Sequence, residues 1–371
     1  MRVLFDVFEL TPDGGKSIGI YHYARNLWRE LVADLPEDVS LVLACHGKNE
    51  RDFSGMSHPR VQRVLLQDDT PRQWQRQRWL RWGAQSLARQ KGCEVYFTPK
   101  GFLPGMWGAP SGVRTCAVVH DLIPMWYAEH QPGYFSRLEL MVLDRELRRT
   151  CRHADRLVTI SQASADDIVA RVSGARRPAV VYNGLPPKPQ QCVRPERPRF
   201  IFAMASSYPH KNAQTIIDGY LRYRARVANP LDLVVCGLDD PGLPGVSCLK
   251  GVSAEVLHGH YQAADLFVFL SLAEGFGFPP LEAMQHGTPV LCSDLPVLRE
   301  TTRGNAFFVS PTDADAVGSA MGHALADEQA EQRARLRQRA PDVVASYSWQ
   351  QCAKGVLSQW GALMRSPASD Q

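Results

Sequence analysis

Short apolar runs alternate with helical patterns along most of this chain, and this alternation constrains its fold more than any other feature. Runs such as Arg2–Val7, Val95–Thr98 and Phe200–Met204 have the length and composition of buried strands. The segments between the runs carry apolar residues at helical spacing, for example over 20–33 and 213–224. Strands that alternate with helices are typical of a parallel, doubly wound sheet, so the sequence predicts an α/β fold.

A proline-rich stretch interrupts the alternation near the middle of the chain. Five prolines between residues 185 and 199 cannot build a helix, whereas the strand–helix rhythm resumes at Phe200. We therefore predict a first domain over 1–184, a hinge over 185–199 and a second domain over 200–371 that ends in a helix. A length of 371 residues suits two such domains. Because doubly wound sheets bind ligands outside the carboxyl ends of their strands, the expected site is a cleft between the two domains.

Composition excludes several classes of protein. A net charge of +4 is too small to indicate a nucleic-acid binder. The apolar run after Met1 is too short for a signal sequence, and the longest apolar stretch, near 266–272, is too short to span a bilayer. The nine cysteines are scattered and form no Cys-x-x-Cys pair, which is typical of reduced thiols in a cytoplasmic protein. Residues 366–371 are expected to be disordered.

Two glutamates flank the most informative segment of the chain. Glu274 follows the apolar run 265–273, so it lies at the exit of a predicted buried strand. Glu282 comes eight residues later, in the predicted first turn of the next helix. Carboxylates in this position accept hydrogen bonds from hydroxyl groups.

The residues between these glutamates favour close approach of a ligand to the backbone. Gly275 and Gly277 have no side chain to obstruct it, and Pro280 suits the first position of a helix. Free N–H groups at the start of a helix attract anions. The segment therefore predicts a ligand that carries both phosphate and sugar-like hydroxyl groups.

Six motifs in the same order resemble those of family 4 retaining glycosyltransferases, which have the GT-B fold of two doubly wound Rossmann-like domains that face each other across a cleft. The motifs are His120–Pro124, Val158–Ser164, Tyr182–Gly184, Pro209–Asn212, Val235–Gly237 and the E-x7-E segment Glu274–Glu282. The resemblance covers nearly the whole chain. It is greatest to bacterial surface-polysaccharide mannosyltransferases.

The resemblance implies roles for the two-glutamate segment. Glu274 is expected to contact hydroxyls of the donor sugar, and Glu282 to bind the hydroxyls of a ribose. Backbone N–H groups of Phe276, Gly277 and Phe278 are expected to face the sugar or its phosphates.

Four further residues receive roles from the same resemblance. Lys211 would neutralise the diphosphate as it leaves. Many relatives have an arginine where this chain has Ser206, which can hydrogen-bond phosphate but adds no charge. Gly19, in the glycine-rich loop 11–19, would approach the donor phosphates, and His120 would lie near the reacting carbon.

The predicted activity is that of a retaining glycosyltransferase that needs neither a metal ion nor another cofactor. Asp313 and Asp315 are similar to an Asp-x-Asp metal motif, but they open a helix, and capping explains them. The expected partners are a nucleoside-diphosphate sugar, with GDP-mannose favoured, and a glycan or polyprenyl-linked acceptor.

Three alternatives remain open from the sequence. The donor could be UDP-glucose or UDP-N-acetylhexosamine. The chain could bind a sugar nucleotide without transferring the sugar, as a partner subunit that lacks the arginine replaced by Ser206. An NAD-dependent oxidoreductase is disfavoured because no Gly-x-Gly-x-x-Gly follows the first strand.

The stretch 71–82 contains three tryptophans and four arginines but no acidic residue. One interpretation is a surface helix with buried aromatic side chains. The other is peripheral docking on the anionic inner face of a membrane, which would suit a lipid-linked acceptor.

Overall fold

The computed structural model describes residues 1–12, 18–55, 58–105 and 112–365, which fall into two compact units. The first unit contains residues 1–128, 132–184 and those from 348 onward, and the second contains 129–131 and 185–347. Part of the predicted glycine-rich loop, 13–17, and the predicted disordered end, 366–371, lie outside the described residues.

The described part of the first unit is built on a parallel sheet of seven strands. The strands are β1 Arg2–Asp6, β2 Ser40–Cys45, β3 Val61–Leu65, β4 Val95–Thr98, β5 Arg114–Val118, β6 Arg156–Thr159 and β7 Ala179–Val180. Their order in the sheet is β3-β2-β1-β4-β5-β6-β7, so the direction of winding reverses between β1 and β4. This reversal is the switch point of a doubly wound fold.

Helices connect these strands, as the sequence pattern predicts. They are α1 Ile18–Ala33, α2 Gly47–Ser54, α3 Gln73–Arg78, α4 Ala84–Gln90, α5 Ile123–His130, α6 Arg137–His153 and α7 Gln162–Arg171. A wide π-helical turn, Trp79–Gly83, joins α3 to α4.

The second unit has a parallel sheet of six strands in its described residues. They are β8 Phe200–Met204, β9 Asp232–Cys236, β10 Val246–Leu249, β11 Leu266–Phe269, β12 Val290–Ser293 and β13 Phe307–Val309. The order is β10-β9-β8-β11-β12-β13, so the switch point lies between β8 and β11. The helices are α8 Ala213–Arg226, α9 Ala254–Ala263, α10 Phe278–Gln285, α11 Pro296–Thr301, α12 Ala314–Leu325 and α13 Ala330–Ala345. Both sheets confirm the predicted α/β, doubly wound fold class.

The last helix, α14 Trp349–Arg365, packs with the first unit, whereas the sequence places it in the second domain. Its apolar stripe includes Trp360, which is fully buried with its ring centroid 5.2 Å from that of Phe97 on β4. The amide of Gln359 accepts a hydrogen bond from Arg156 at 2.7 Å. The predicted second domain, 200–371, was therefore wrong at its end: α14 belongs to the first unit. The helix packs there because its apolar stripe is buried in that unit.

Two sequence expectations about the chain as a whole can be compared with this structure. Within the described ranges we find no helix that combines the length and the apolar character needed to cross a bilayer. All nine cysteines are described, and none forms a disulfide bond.

Trp79 anchors the tryptophan-rich segment to the sheet of the first unit. Its Nε1 donates a hydrogen bond to Oδ2 of Asp6 at 2.8 Å, and its ring lies 5.0 Å from that of Phe8. Tyr96 also donates to Asp6, at 2.5 Å. Burial raises the pKa of Asp6 to about 6, and these donors oppose that shift.

We expect Trp79→Phe to lower the free energy of unfolding by about 2 kcal/mol, because it removes a buried donor and leaves a small void. Far-UV circular dichroism during urea unfolding measures the change. Trp74→Phe is the matched control, since Trp74 is exposed and its replacement should change the free energy by less than about 0.5 kcal/mol. Equal unfolding curves for both variants would contradict the role of Trp79.

Candidate functional site

The site in the second unit is built where β8 and β11 end side by side. Lys211 follows β8 in the loop to α8, and Glu274 follows β11 in the loop to α10. Since the chain leaves these two strands in opposite directions, their loops border a crevice at the switch point. Residues that are 63 positions apart in the sequence thus meet at one edge of the sheet.

Lys211 and Glu274 form an ion pair at this edge. The Nζ of Lys211 lies 2.6 Å from Oε1 of Glu274, with 26% of the lysine side chain and 10% of the glutamate side chain exposed. The same Nζ lies 5.5 Å from the ring centroid of Phe269. A partly buried ammonium in this position can bind phosphate oxygens, and the carboxylate can accept hydrogen bonds from hydroxyls.

Asn212 holds the lysine loop in place, a role that the sequence did not reveal. Its backbone is left-handed, with φ 57°, a conformation that asparagine tolerates better than most residues. Its side-chain amide donates to the carbonyl oxygens of Leu270 at 3.0 Å and Pro311 at 2.7 Å. The backbone N–H of Leu272 donates to the carbonyl of His210 at 2.7 Å. These bonds tie the Lys211 loop to the end of β11, so Asn212 positions Lys211 against Glu274.

Ser206 lies two residues beyond the carboxyl end of β8. Its hydroxyl accepts a hydrogen bond from the backbone N–H of Tyr208 at 3.4 Å. Gly237, at the end of β9, has φ 102°, and a Cβ there would lie 2.1 Å from the carbonyl oxygen of Ala205. Only glycine allows the two strand ends to approach this closely.

The start of α10 differs in detail from the prediction. The helix begins at Phe278, so Pro280 occupies its third position and Glu282 its fifth, beyond the first turn. Pro280 is still tolerated, because N–H groups at the first positions of a helix have no partner within the helix. Glu282 is therefore too far from the start of α10 to be stabilised by the helix dipole, an effect that is confined to the first turn.

Phe276 and Gly277 shape the backbone just before α10. Gly277 has φ 84°, and a Cβ there would lie 2.4 Å from Cδ2 of Leu298, so the position requires glycine. The ring of Phe276 is buried and lies 5.4 Å from that of Tyr347. Because the ring of Phe276 is buried, a ligand could reach only the main chain of this residue. Phe278 is half-buried.

Glu282 has a buried partner that the sequence did not indicate. The hydroxyl of Tyr261, a fully buried residue on α9, donates to Oε2 of Glu282 at 2.9 Å. Burial raises the pKa of Glu282, and the hydrogen bond from Tyr261 partly opposes this rise. One oxygen of the carboxylate is thus held, which orients the other. No spacing in the sequence connects these residues, which lie 21 positions apart on different helices.

His120 lies at the carboxyl end of β5 in the first unit. Its Nε2 is 2.9 Å from the carbonyl oxygen of Pro99, and its ring centroid lies 4.7 Å from that of Tyr23. Burial lowers the pKa of His120 to about 4, so the ring is neutral at neutral pH. Nε2 must carry the proton that it donates to the carbonyl, which leaves Nδ1 as an acceptor. Asp121 accepts from the N–H of Ile123 at 2.9 Å, as expected of a residue that orders the loop.

Gly19 lies in the first turn of α1, not in a loop as predicted. It is exposed, and a Cβ at this position would meet no atom of a described residue within 4 Å. Tyr23 follows one turn later on α1 and contacts His120.

The predicted capping role of Asp313 is confirmed. Its Oδ1 accepts from the N–H groups of Asp315 at 2.9 Å and Ala316 at 3.1 Å. Asp315 forms ion pairs with Arg222 and Arg226. In the described parts of the chain, no three His, Cys, Asp or Glu side chains come together as a metal site would require.

Two family models match consecutive parts of the chain. The model "Glycosyltransferase Family 4" matches residues 19–188, and the model "Glycosyl transferases group 1" matches residues 186–343. The second match contains the Lys211–Glu274 pair and Glu282. The first contains Gly19 and His120.

Individual relatives agree with these matches. The chain is 30% identical over 211 residues to O-antigen chain mannosyltransferase RfbU of Salmonella typhimurium, an alignment that covers 53% of this chain and 56% of the relative. It is 26% identical over 296 residues to O-antigen chain mannosyltransferase B of Escherichia coli, which covers 72% of this chain and 74% of the relative. The chain thus matches little more than half the length of the first of these relatives.

The fold is shared with sucrose-phosphate synthase from Thermosynechococcus elongatus. That structure aligns with a TM-score of 0.70 over 98% of this chain and 99% of the other, at 17% identity. This likeness confirms the predicted GT-B fold class. The two family matches together span residues 19–343, so the chain consists of a glycosyltransferase Family 4 region followed by a glycosyl transferases group 1 region.

Proposed function

We propose that the chain is a retaining, metal-independent hexosyltransferase that uses a nucleoside-diphosphate sugar as donor. The observation that carries this proposal is the Lys211–Glu274 pair at the switch point of the second sheet. It combines a cation for a diphosphate with a carboxylate for sugar hydroxyls. Glu282 adds a second carboxylate, held by Tyr261, for the ribose.

In the proposed reaction, the bond between the anomeric carbon and the diphosphate oxygen breaks, and the acceptor oxygen bonds to the same face of the sugar. The acceptor proton passes to the departing phosphate. Lys211 and nearby backbone N–H groups stabilise the negative charge on that phosphate. Glu274 orients the sugar and stabilises positive charge at the anomeric carbon. His120 and Gly19 are proposed donor contacts from the first unit.

GDP-mannose is the donor that we favour. The support is that the two relatives described above are both named O-antigen chain mannosyltransferases. On the same ground, we propose a growing surface-polysaccharide chain, free or polyprenyl-linked, as the acceptor. Such an acceptor would place the enzyme at the cytoplasmic face of a membrane.

Saturation-transfer NMR with GDP, UDP and dTDP tests the donor. We expect the strongest transfer to GDP, and preference for UDP would replace GDP-mannose with a UDP-sugar. Hydrolysis of GDP-mannose without acceptor then separates an enzyme from a subunit that only binds the nucleotide sugar. Binding without any hydrolysis or transfer would favour the non-catalytic alternative.

We expect Tyr261→Phe to shift the pH dependence of the KM for the donor. The Tyr261 hydroxyl lowers the pKa of Glu282, so its removal raises that pKa further and the carboxylate becomes protonated at a higher pH. Because a protonated Glu282 accepts ribose hydroxyls less well, KM should rise as pH falls, and the rise should begin at higher pH in the variant. The kcat at saturating donor should change little.

Tyr220→Phe is the matched control for this measurement. Tyr220 is also buried in the second unit, but its hydroxyl donates to the carbonyl of Gly245 at 2.9 Å and not to a carboxylate. Its pH profile should match that of the unmodified protein. Superimposable profiles for all three proteins would exclude the proposed role of Tyr261.

A further inference from the structure

The three tryptophans of the segment 72–82 differ in burial: one is buried and two are exposed. Trp79 is 6% exposed and bonded to Asp6, whereas Trp74 and Trp82 are 59% and 63% exposed. Positions 74, 78 and 82 are four residues apart, so Trp74, Arg78 and Trp82 lie along one face of the helical segment. Since Trp79 fixes the rotation of this segment, that face is held outward.

A second exposed apolar stripe lies on α6 of the same unit. Leu138, Met141 and Val142 are 66%, 62% and 43% exposed, and Arg145 extends the stripe. Their spacing of three and four residues places them on one face of the helix. The opposite face, which includes Leu147, packs into the core. Contiguous exposed apolar stripes mark interaction sites, whereas singly scattered exposed apolar residues do not.

The residues 103–105 connect the two helical segments. The guanidinium of Arg149 on α6 donates to the carbonyls of Leu103 at 3.2 Å and Pro104 at 2.8 Å. The N–H of Gly105 donates to the carbonyl of Leu80, in the π-helical turn, at 2.5 Å. The helix α6 and the π-helical turn are therefore both hydrogen-bonded to the same short segment.

Charge distinguishes this surface from an ordinary apolar contact. Arg72, Arg78 and Arg81 are exposed, and none forms an ion pair with a described residue. The guanidinium of Arg81 lies 5.8 Å from the ring centroid of Trp82. The sequence has no acidic residue from 70 to 93. On α6, Asp144 and Glu146 form ion pairs with Arg148 and Arg149, and the carboxylate of Glu139 accepts from the N–H of Ser136 at the helix start.

We propose that these two stripes form a surface that docks on an anionic phospholipid bilayer. Trp74, Trp82, Leu138, Met141 and Val142 would enter the interfacial region, where tryptophan is favoured. The three exposed arginines (72, 78 and 81) would bind lipid phosphates. A helix that is apolar on one face and basic beside it lies in the plane of such an interface. The proposal does not depend on the identity of the sugar donor.

Vesicle flotation with the full chain tests the surface. We expect the protein to float with phosphatidylglycerol-containing vesicles and to remain unbound with pure phosphatidylcholine. The double variant Trp74→Ser and Trp82→Ser should lower the partition coefficient at least tenfold. Arg78→Gln with Arg81→Gln should lower it by roughly fivefold for each arginine removed, and added salt should weaken the binding.

Matched variants in the second unit provide the controls. Arg337→Gln with Arg339→Gln makes the same change in net charge on an exposed face of α13, and Val193→Ser removes an exposed apolar side chain. Both should float like the unmodified protein, and circular dichroism should show that every variant is folded. Equal recovery with neutral and anionic vesicles, or equal loss in the control and test variants, would overturn the proposal. Loss of self-association in the tryptophan variant without any lipid binding would show that the surface binds a second copy instead.

Discussion

Glu274→Gln should lower the turnover number for sugar transfer by roughly 10²- to 10³-fold. Glutamine has nearly the same shape but no charge, so it cannot stabilise positive charge at the anomeric carbon. The carboxylate of Glu274 also lies 2.6 Å from the Lys211 ammonium. Glu274 therefore competes with a bound phosphate for that cation. The Kd for a nucleoside diphosphate should therefore stay unchanged or decrease. Initial rates with labelled donor and calorimetric titration with GDP and UDP measure the two effects.

Glu328→Gln makes the same chemical change at an exposed position just before α13 and should behave like the unmodified protein. A Glu274→Gln protein with normal turnover would remove Glu274 from the reaction. A variant that loses nucleotide affinity but keeps turnover at saturation would make Glu274 a binding residue only.

Lys211→Gln should lower kcat/KM by about 10²-fold and weaken the binding of nucleoside diphosphates. The amide carries no charge to offset the leaving phosphate. The variant also leaves Glu274 without its partner although only 10% of that side chain is exposed, so the protein should lose about 1–2 kcal/mol of stability. Nucleotide titration, steady-state kinetics and urea unfolding measure these three changes.

The double variant Lys211→Gln and Glu274→Gln completes a double-mutant cycle with the two single variants. Because it removes both charges, we expect it to be more stable than Lys211→Gln alone, and its kinetic loss should be smaller than the product of the two single losses. Lys250→Gln is the control, since Lys250 pairs with Asp239 at an exposed position where an ion pair contributes little. Additive losses in stability and in rate would show that Lys211 and Glu274 act independently.

Much of the second sheet could be predicted because its strands are short, apolar and separated by helical patterns. The strand Phe200–Met204 agrees in both bounds, and β11 lies within the apolar run 265–273 that predicted a strand there. The strand β3 could not be predicted, because it lies at the edge of its sheet, its residues are half-buried or exposed, and it has no apolar run. The helix α13 continues through Pro341, a residue type that in a sequence usually indicates the end of a helix.

The candidate site was only partly accessible from the sequence. Glu274 and Lys211 each stand after a predicted strand, so their positions at one sheet edge could be expected. The roles of Asn212 and Tyr261 could not, because each depends on which distant element its side chain reaches. Asn212 donates to carbonyls 58 and 99 residues away.

Local sequence patterns were thus sufficient to predict the alternation of strands and helices, the doubly wound fold class and the chemical groups at the strand ends. Periodicity and turn residues are properties of consecutive positions, and they act before any distant contact forms. Tertiary packing decided that α14 joins the first unit, that Glu282 is held by Tyr261, and that Trp79 turns inward while Trp74 and Trp82 face outward. Those outcomes depend on contacts between apolar faces, and on hydrogen bonds of buried polar atoms, with residues far along the chain. Burial of a polar atom without a hydrogen bond would cost too much free energy.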